Sequence, residues 1–323
     1  MAPHLHLRTM TPADLPFAHA LRGAVGWNQT VADWQRFLHL EPEGCFIAEL
    51  QGNPVGTATT IIHGRDLAWI GMVLVTSEFR RQGIGRALLL HAINHLRKYG
   101  IRCIKLDATP LGRPVYESLG FQVEWSLSRW ERPERVPRSA DSGNSVPTQG
   151  AACRECAPEP FVTPGSGSVP ITSQAAGRNH ALQEEDLSTT GSLHALETDA
   201  FGTPRNRLLE ALSRQSRVFL HRDNSSGTVL GYGFVRPGSV ADYFGPAVAR
   251  STRVAESILR SLVERHDGRR LFWDIPEPNR TALQWATEHG FHRQRDLTRM
   301  FLGENASPGD PRLQLALSGP ETG

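Results

Sequence analysis

The chain has 323 residues, of which 39% are hydrophobic and 21% are charged, a balance typical of globular proteins with room for two domains. Its formal net charge of +2 is too small to indicate a nucleic-acid partner. No apolar run approaches the roughly 20 residues that cross a bilayer, and the N-terminal MAPHLHLRTM lacks a signal-peptide core. We therefore expect a cytoplasmic protein with no membrane partner, while the oligomeric state stays open.

The first domain is predicted over residues 1–131, where helical and strand patterns alternate. Two amphipathic stretches that begin at capping threonines predict helices over Thr11–Val25 and Thr30–Leu40. The following elements are predicted as strands Cys45–Leu50, Val55–His63 and Leu67–Val75, helix Gly83–Lys98, strand Arg102–Ala108, helix Arg113–Leu119 and strand Phe121–Trp130. Leu67–Val75 is almost entirely apolar, as expected of a central strand that is covered on both faces.

Residues 132–179 lose this periodicity and are rich in Pro, Ser, Gly and Thr, which predicts a flexible linker. The segment contains Cys153-x-x-Cys156. A second pair of Cys or His ligands at zinc-finger spacing is missing nearby, so we predict no metal and leave the role of the two cysteines open.

A second domain is predicted over residues 180–303, because its elements repeat the order of the first domain and so indicate an internal duplication. Helices are expected over Leu187–Phe201, Arg205–Arg214, Arg253–Arg265 and Arg280–His289, and strands over Val218–His221, Val229–Val235, Asp242–Val248, Leu271–Ile275 and Phe291–Leu302. Residues 304–323 are expected to form a frayed tail.

The segment EFRRQGIGRALLL, Glu78–Leu90, joins the apolar strand to the next helix and contains Arg80-x-x-Gly83-x-Gly85. Glycines carry no Cβ, so the backbone N–H groups of such a loop can turn toward one point, where the helix dipole adds partial positive charge. This arrangement predicts a cradle for a phosphate or pyrophosphate. The simpler alternative is a glycine-rich turn that only begins a helix.

Three segments of the first domain together resemble the GNAT N-acetyltransferase superfamily: WIGMVLVTSEFRRQGIGRALL, LDATPLGRPVYESLGF and FIAELQGNPVGTATT. The first contains a match to the family's acetyl-CoA motif, (Q/R)-x-x-G-x-(G/A). The second domain resembles the same family, but Arg250–Arg253 replaces the glycine loop and Ala286 stands at the family's Tyr position. The chain therefore resembles the tandem, YitH-like type, with an intact first domain and a degenerate second one.

This resemblance implies an α/β (α+β) fold of two tandem GNAT-like domains, each a mixed, mostly antiparallel sheet flanked by helices. It also implies an acetyl-CoA-dependent N-acetyltransferase in which a primary amine of a small molecule or peptide attacks the thioester directly. A non-catalytic acyl-CoA-binding sensor is the alternative. The implied cofactor-binding residues are Met72, Val73, Val75, Arg80, Arg81, Gln82, Gly83, Ile84, Gly85, Arg86, Thr109 and Tyr116. Of these, Thr109 stands where the family often has Asn.

Tyr116 is the predicted general acid, because a phenol is a suitable proton donor to a departing thiolate; the alternative is a Tyr that only contacts CoA. The strand Leu67–Val75 contains no carboxylate, so Asp107 on the neighbouring strand is our first choice of base. A base that acts through water, or one from the second domain, is equally open. The predicted acceptor-site residues are Trp27, Asn28, Trp273 and Asp274.

Overall fold

The structure is a computed structural model that describes residues 5–134, 191–266 and 268–323. Apart from residues 132–134, the predicted linker lies outside the described residues, as do Cys153 and Cys156. Within the described ranges, no helix is long and apolar enough to span a membrane. The same ranges contain no group of three or more His, Cys, Asp or Glu side chains that could hold a metal ion.

The first half confirms the predicted order of elements and adds an N-terminal strand. Its strands are β1 (Leu5–Thr9), β2 (Cys45–Leu50), β3 (Asn53–His63), β4 (Leu67–Val75), β5 (Cys103–Ala108) and β6 (Gln122–Arg132). Its helices are α1 (Leu15–Ala24), α2 (Val31–Leu40), α3 (Ile84–Lys98) and α4 (Arg113–Glu117). A 3₁₀ turn over Pro12–Asp14 precedes α1, where the sequence had predicted one continuous helix.

The second half repeats this order. Its helices are α5 (Gly191–Phe201), α6 (Asn206–Ser213), α7 (Thr252–Arg265) and α8 (Arg280–Glu288). Its strands are β7 (Arg217–Arg222), β8 (Val229–Arg236), β9 (Asp242–Ala249), β10 (Leu271–Pro276), β11 (His292–Gly303) and β12 (Gln314–Ala316). The repeat supports a duplication of one α/β unit.

The strands of the described residues form a single mixed sheet in the order β1-β2-β3-β4-β5-β11-β6-β10-β9-β8-β7, with β12 beside β9. The pairs β4–β5 and β9–β10 are parallel. The other pairs are antiparallel. The mostly antiparallel α/β architecture is therefore as predicted, but the two halves share one sheet.

The halves exchange their last strands. Strand β11 of the second half lies between β5 and β6, where Thr298 pairs with both Ala108 and Ser126. Strand β6 of the first half pairs with β10, where Trp130 lies opposite Trp273. Each of the two repeats is thus completed by a strand of the other. A fragment ending near residue 135 would leave β5 as an unpaired edge.

Apolar packing also joins the two halves. Helix α3 packs on one face of the first repeat, where Leu88, Leu89 and Ala92 are fully buried. On the other face, residues of α1 and α2 belong to the same apolar cluster as residues of α5 and α6. Burial of this shared cluster removes apolar surface from water at the junction, which stabilises the two halves as one unit.

The C-terminal residues do not form the frayed tail that we predicted. Strand β12 pairs with β9, and Leu315 and Leu317 are almost fully buried. The indole Nε1 of Trp273 donates to the carbonyl oxygen of Leu315 at 2.9 Å. The prediction was wrong because the apolar residues of the run Leu313–Leu317 find a partner surface on β9 and β10, which a local pattern does not reveal.

Leu315→Ala tests this packing. We expect the free energy of unfolding to fall by about 2–5 kcal/mol, because the substitution leaves a cavity beside Trp273 in a buried cluster. The matched control is Leu111→Ala, since Leu111 is 93% exposed and should change stability by less than about 0.5 kcal/mol. Urea unfolding followed by circular dichroism measures both variants, and equal stabilities would mean that the C-terminal segment frays.

Candidate active site

Strands β4 and β5 separate in the middle of the sheet. Their parallel ladder covers only Leu67–Trp69 and Cys103–Lys105. Beyond it, β4 carries an irregularity in its pairing with β3, and Met72 adopts a positive φ of 50°. The hydroxyl of Thr57 donates to the carbonyl oxygen of Met72 at 2.8 Å and holds this bulge. A bulge redirects backbone groups that a regular strand would use in its ladder.

The glycine loop follows β4 and has the backbone conformation that the motif requires. Gly83 adopts φ +83° directly before α3, and Arg81 also has a positive φ of 62°. A Cβ at Gly83 would meet no atom within 4 Å, so this position faces open space. The guanidinium Nε of Arg80 donates to the carbonyl oxygen of Val75 at 3.1 Å and ties the loop to the strand.

A groove of about 550 Å³, which we call the outer groove, opens in front of this loop. It is lined by Val73, Val75, Phe79, Arg80, Arg81, Gly83, Ile84, Gly85, Arg86, Leu111, Gly112, Pro114, Val115, Tyr116 and Ser118. The structure therefore brings together most of the predicted cofactor-binding residues. Of the others, Met72 and Thr109 line the adjoining cavity, and the side-chain amide of Gln82 donates to Glu78.

A second cavity of about 110 Å³, the inner pocket, lies at the diverging ends of β4 and β5. Its lining comprises Trp27, Gln29, Ile70, Gly71, Met72, Val73, Leu106, Asp107, Thr109, Gly112, Tyr116, Arg295, Leu297, Pro320 and Glu321. Val73, Gly112 and Tyr116 line both cavities. The outer groove and the inner pocket therefore meet at Tyr116.

Tyr116 lies on α4 and packs against Phe121, with ring centroids 5.9 Å apart. Burial raises the pKa of its phenol to about 12, so the hydroxyl keeps its proton throughout the neutral range. The nearby hydroxyl of Thr109 accepts from the amide of Gly112 at 3.2 Å and thereby shapes the turn that leads to α4.

Asp107 lines the inner pocket, but its carboxylate is already engaged. Both oxygens accept from the guanidinium of Arg299 at 2.9 Å, and the Asp107 side chain is completely buried. Arg299 lies between the rings of Trp69 and Trp125, at 4.4 and 4.2 Å from their centroids. Burial raises the pKa of Asp107, whereas Arg299 opposes that rise. The geometry argues against Asp107 as the base, because this ion pair joins β5 to β11.

The C-terminal segment brings a charged residue, Glu321, to this pocket, where no sequence pattern predicts it. The indole Nε1 of Trp69 donates to the carbonyl oxygen of Pro320 at 2.9 Å. A Cβ at Gly71 would lie only 2.6 Å from the backbone oxygen of Glu321, so a glycine at this point of β4 allows the close approach. The side-chain amide of Gln29 donates to the carboxylate of Glu321 at 2.8 Å.

A second charged residue of the pocket, Arg295, was also missed. It lies on β11 and is half-buried, and its Nε is buried without a hydrogen-bond partner. Burial and the charge of Arg129 lower the pKa of Arg295 to about 10, so the guanidinium remains charged at neutral pH. Neither Arg295 nor Glu321 belongs to a local motif, so their place in the pocket could not be predicted from the linear sequence.

The predicted acceptor-site residues have mixed outcomes. Trp27 lines the inner pocket. Asn28 lies beside it, but its side-chain amide donates to the Ala241 carbonyl oxygen at 3.0 Å and accepts from the amides of Val240 and Ala241. These bonds fasten the loop before α2 to the second repeat, which is a structural role.

Trp273 and Asp274 do not line the inner pocket, and their prediction as acceptor-site residues is not supported by this geometry. Trp273 is fully buried beneath β12. Both oxygens of Asp274 accept from the guanidinium of Arg129 at 2.7 and 2.6 Å, and Tyr243 donates to the same carboxylate. Strands β9 and β10 lie where the repeat predicts. However, β12 pairs with β9 and β6 pairs with β10, so these strands do not line an open site.

Comparison with known proteins agrees with this geometry. A family model described as the acetyltransferase (GNAT) family matches residues 17–121, and one described as the acetyltransferase (GNAT) domain matches residues 193–314. The chain belongs to the GNAT N-acetyltransferase superfamily. It is an acyltransferase of the tandem type, with two GNAT domains.

Individual relatives support the tandem arrangement. The uncharacterized N-acetyltransferase YitH of Bacillus subtilis is 25% identical over 92% of both chains. A mycothiol acetyltransferase of Thermobispora bispora is 36% identical, but this match covers only 27% of the present chain and 32% of that protein. A solved structure from Pyrococcus horikoshii, assigned as an acetyltransferase, shares the fold with a TM-score of 0.74 at 23% identity, covering 99% of this chain and 96% of that one.

In the second GNAT domain, β12 occupies the strand gap that is open in the first domain, and a cavity of about 380 Å³ remains beside Arg250, Asn279 and Arg312. Strand β12 pairs with Ala247 and Val248 of β9, on the part of β9 that lies beyond its parallel ladder with β10. The side-chain amide of Asn279 donates to the backbone of Arg312 and Gln314, and Ala286 is fully buried. A segment of the chain itself thus fills the gap between the diverging strands.

Proposed function

We propose that the protein transfers the acetyl group of acetyl-CoA to a primary amine of a small molecule or peptide. The observation that carries this proposal is the meeting of the outer groove and the inner pocket at Tyr116. A donor in the groove and an amine in the pocket would have their reacting groups next to each other at that point, which converts the reaction into an effectively intramolecular one.

The residues of the outer groove fit the proposed donor. The loop from Arg81 to Arg86 has two positive-φ positions and ends at the N-terminus of a 15-residue helix, where backbone N–H groups and the helix dipole favour a pyrophosphate. The bulged backbone at Met72 and Val73 would face the pantetheine and acetyl portions. Tyr116 would give a proton to the leaving thiolate.

The inner pocket suits an amine acceptor of small cross-section, since its volume is about 110 Å³. We also propose a cytoplasmic location. This proposal is supported by the two described cysteines, Cys45 and Cys103, which are buried free thiols, as is usual in reducing compartments.

A CoA-release assay with the full chain, acetyl-CoA and a panel of amines tests the function. We expect amine-dependent release of free CoA, with the acetylated amine identified by mass spectrometry. The alternative, an acyl-CoA-binding sensor, predicts binding without release in the presence of any amine of the panel.

A further expectation is that acetyl-CoA binds once per chain. The groove of the first domain is open, whereas in the second domain Arg250–Arg253 replaces the glycine loop and β12 covers the strand gap. Isothermal titration calorimetry should therefore give a stoichiometry near one. Two equivalent sites per chain would contradict the assignment of the second domain as degenerate.

A further inference from the structure

The inner pocket contains three charged side chains, and their states of pairing differ. Asp107 is neutralised by its two hydrogen bonds with Arg299. Arg295 has a buried Nε without a partner, and it forms no ion pair with a described residue. Glu321 accepts one hydrogen bond from a neutral amide, that of Gln29, and its other carboxylate oxygen lies 3.6 Å from the guanidinium of Arg236. The pocket therefore offers one cation and one anion to a bound molecule.

The buried Nε of Arg295 has no hydrogen-bond partner, and this requires a physical explanation. A buried donor without a partner lowers stability. An anionic group of a ligand would accept from this guanidinium and remove that cost. Arg295 pairs with Arg129 of β6 directly after a bulge at Gln294, where the register between β11 and β6 shifts.

Glu321 is held firmly enough to act on a substrate. Its backbone lies against Gly71, the residue before the bulge of β4, and the preceding carbonyl oxygen is bound by Trp69. Its second carboxylate oxygen lies 3.6 Å from the guanidinium of Arg236. Each carboxylate oxygen has two lone pairs, so these contacts leave acceptor capacity for an ammonium group.

We propose that the acceptor is a small amine that also carries an anionic group, with Arg295 binding the anion and Glu321 taking the proton of the amine. The proposal rests on the acetyl transfer proposed above and names its acceptor class. It also makes the C-terminal segment, which belongs to the second repeat, a part of the active site of the first.

The proposed proton transfers balance. The ammonium of the acceptor loses one proton to the carboxylate of Glu321. The neutral nitrogen then bonds to the acetyl carbon, while the carbon–sulfur bond breaks and its electron pair stays on sulfur. Sulfur takes a proton from Tyr116, and the second proton of the nitrogen restores the phenol. Glu321 releases its proton to solvent, so the products are an acetamide, CoA thiol and one proton.

The first test is Glu321→Gln in the full chain. We expect kcat/KM to fall by about 100-fold or more, because a positioned proton acceptor is lost, while the Kd of acetyl-CoA measured by calorimetry is unchanged. Glu304→Gln is the matched control, since that carboxylate is 64% exposed and pairs with the exposed Arg102. Glu321→Asp keeps the carboxylate and should retain part of the activity.

The pH dependence of kcat/KM distinguishes a proton acceptor from a purely structural residue, because a structural role of Glu321 would not change the shape of the profile. Burial raises the pKa of Glu321, and protonation below that pKa removes the acceptor. The profile of kcat/KM should therefore show an ascending limb above the ordinary range of glutamate, which disappears in Glu321→Gln. The charged and titratable groups that act on Glu321 are Asp33, Arg36, Arg129, Arg236, Tyr243 and Arg295. Activity of Glu321→Gln within threefold of the parent at every pH would overturn the role of Glu321.

The second test compares Arg295→Gln with the parent on matched acceptors: amino acids, their amides, the decarboxylated amines and aminoalkylphosphonates. The parent should prefer the anionic members, and comparison of carboxylates with phosphonates identifies the anion. Arg295→Gln should abolish this preference mainly through an increase of KM. Arg293→Gln is the matched control, because Arg293 is an exposed neighbour that pairs with Glu277 and Asp296. Arg295→Lys keeps the charge and should retain part of the preference.

These outcomes separate the two proposals. A parent that acetylates amines but favours amides over acids overturns the anionic acceptor and leaves acetyl transfer intact. A parent that does not bind acetyl-CoA in calorimetry overturns the proposed function itself. Circular dichroism and the Kd of acetyl-CoA show whether each variant is folded. If Glu321→Gln or Arg295→Gln does not fold, the conservative variants Glu321→Asp and Arg295→Lys are used for the test instead.

Discussion

Gly83→Val is expected to weaken acetyl-CoA binding by about 100-fold or more while the protein remains folded. Gly83 adopts φ +83°, a conformation that costs an L-residue about 1–3 kcal/mol and is least accessible to β-branched side chains. The loop would relax toward a negative φ, and its N–H groups would no longer point toward one phosphate. The valine side chain would also occupy the open space in front of the loop, where a Cβ meets no protein atom within 4 Å.

Gly52→Val is the matched control for this experiment. Gly52 lies in the β2–β3 turn with φ +79°, and a Cβ there would also meet nothing within 4 Å. Both substitutions therefore impose similar backbone strain, but only Gly83 lines the outer groove. Calorimetric titration with acetyl-CoA should give the parent Kd for Gly52→Val. Equal weakening by both substitutions, or binding by Gly83→Val within threefold of the parent, would contradict a pyrophosphate cradle at this loop.

The glycine loop and its flanking elements could be predicted because their determinants are local. Positive-φ glycines, a capping pattern and the periodicity of a neighbouring helix are all read within about twenty residues of the chain. The same holds for the order of strands and helices in each repeat, which the structure confirms. The position of Tyr116 follows from the short helix predicted over Arg113–Leu119, which the structure shows as α4, Arg113–Glu117.

The strand exchange could not be predicted in the same way. A last strand with alternating apolar residues fits equally well beside its own repeat or beside a duplicate, since both offer similar apolar faces. Pairing of β11 with β5 and of β6 with β10 is decided by contacts between distant parts of the chain. The order of elements within each repeat therefore does not show which strand completes it.

The presence of Glu321 in the inner pocket could not be predicted from the sequence for a related reason. Glu321 and Gln29 are separated by 292 positions, and no spacing rule connects them. Asp107 was chosen because it ends the strand next to the predicted cofactor-binding strand. Its position was right, but the sequence could not show that Arg299, from an exchanged strand, would occupy both of its oxygens.

The duplication has produced two repeats with different tasks around the same structural feature, a gap between two diverging parallel strands. In the first repeat the gap is open to the outer groove and the inner pocket. In the second it is closed by β12, and the chain continues from there to Pro320 and Glu321 at the inner pocket. The pairing of β12 in the gap of the second repeat thus directs the C-terminal segment toward the inner pocket of the first repeat.

Tyr116→Phe is expected to lower kcat and kcat/KM together by about 100-fold or more, the usual contribution of a positioned general acid. The substitution removes only the hydroxyl, so the packing of the ring against Phe121 is retained. The Kd of acetyl-CoA should therefore stay within about threefold of the parent. Because burial raises the pKa of Tyr116 to about 12, the phenol is the protonated acid at every pH below that value, and the loss of rate should be the same from pH 6 to pH 9.

Tyr99→Phe is the control for the loss of a phenol, since Tyr99 is exposed and its hydroxyl donates to Glu43 at 2.8 Å. It should leave turnover unchanged. The measurement is CoA release at saturating acetyl-CoA with the best acceptor of the amine panel. If Tyr116→Phe weakens acetyl-CoA binding but keeps the parent kcat, then Tyr116 only contacts the donor, and the thiolate must take its proton from another group or from water.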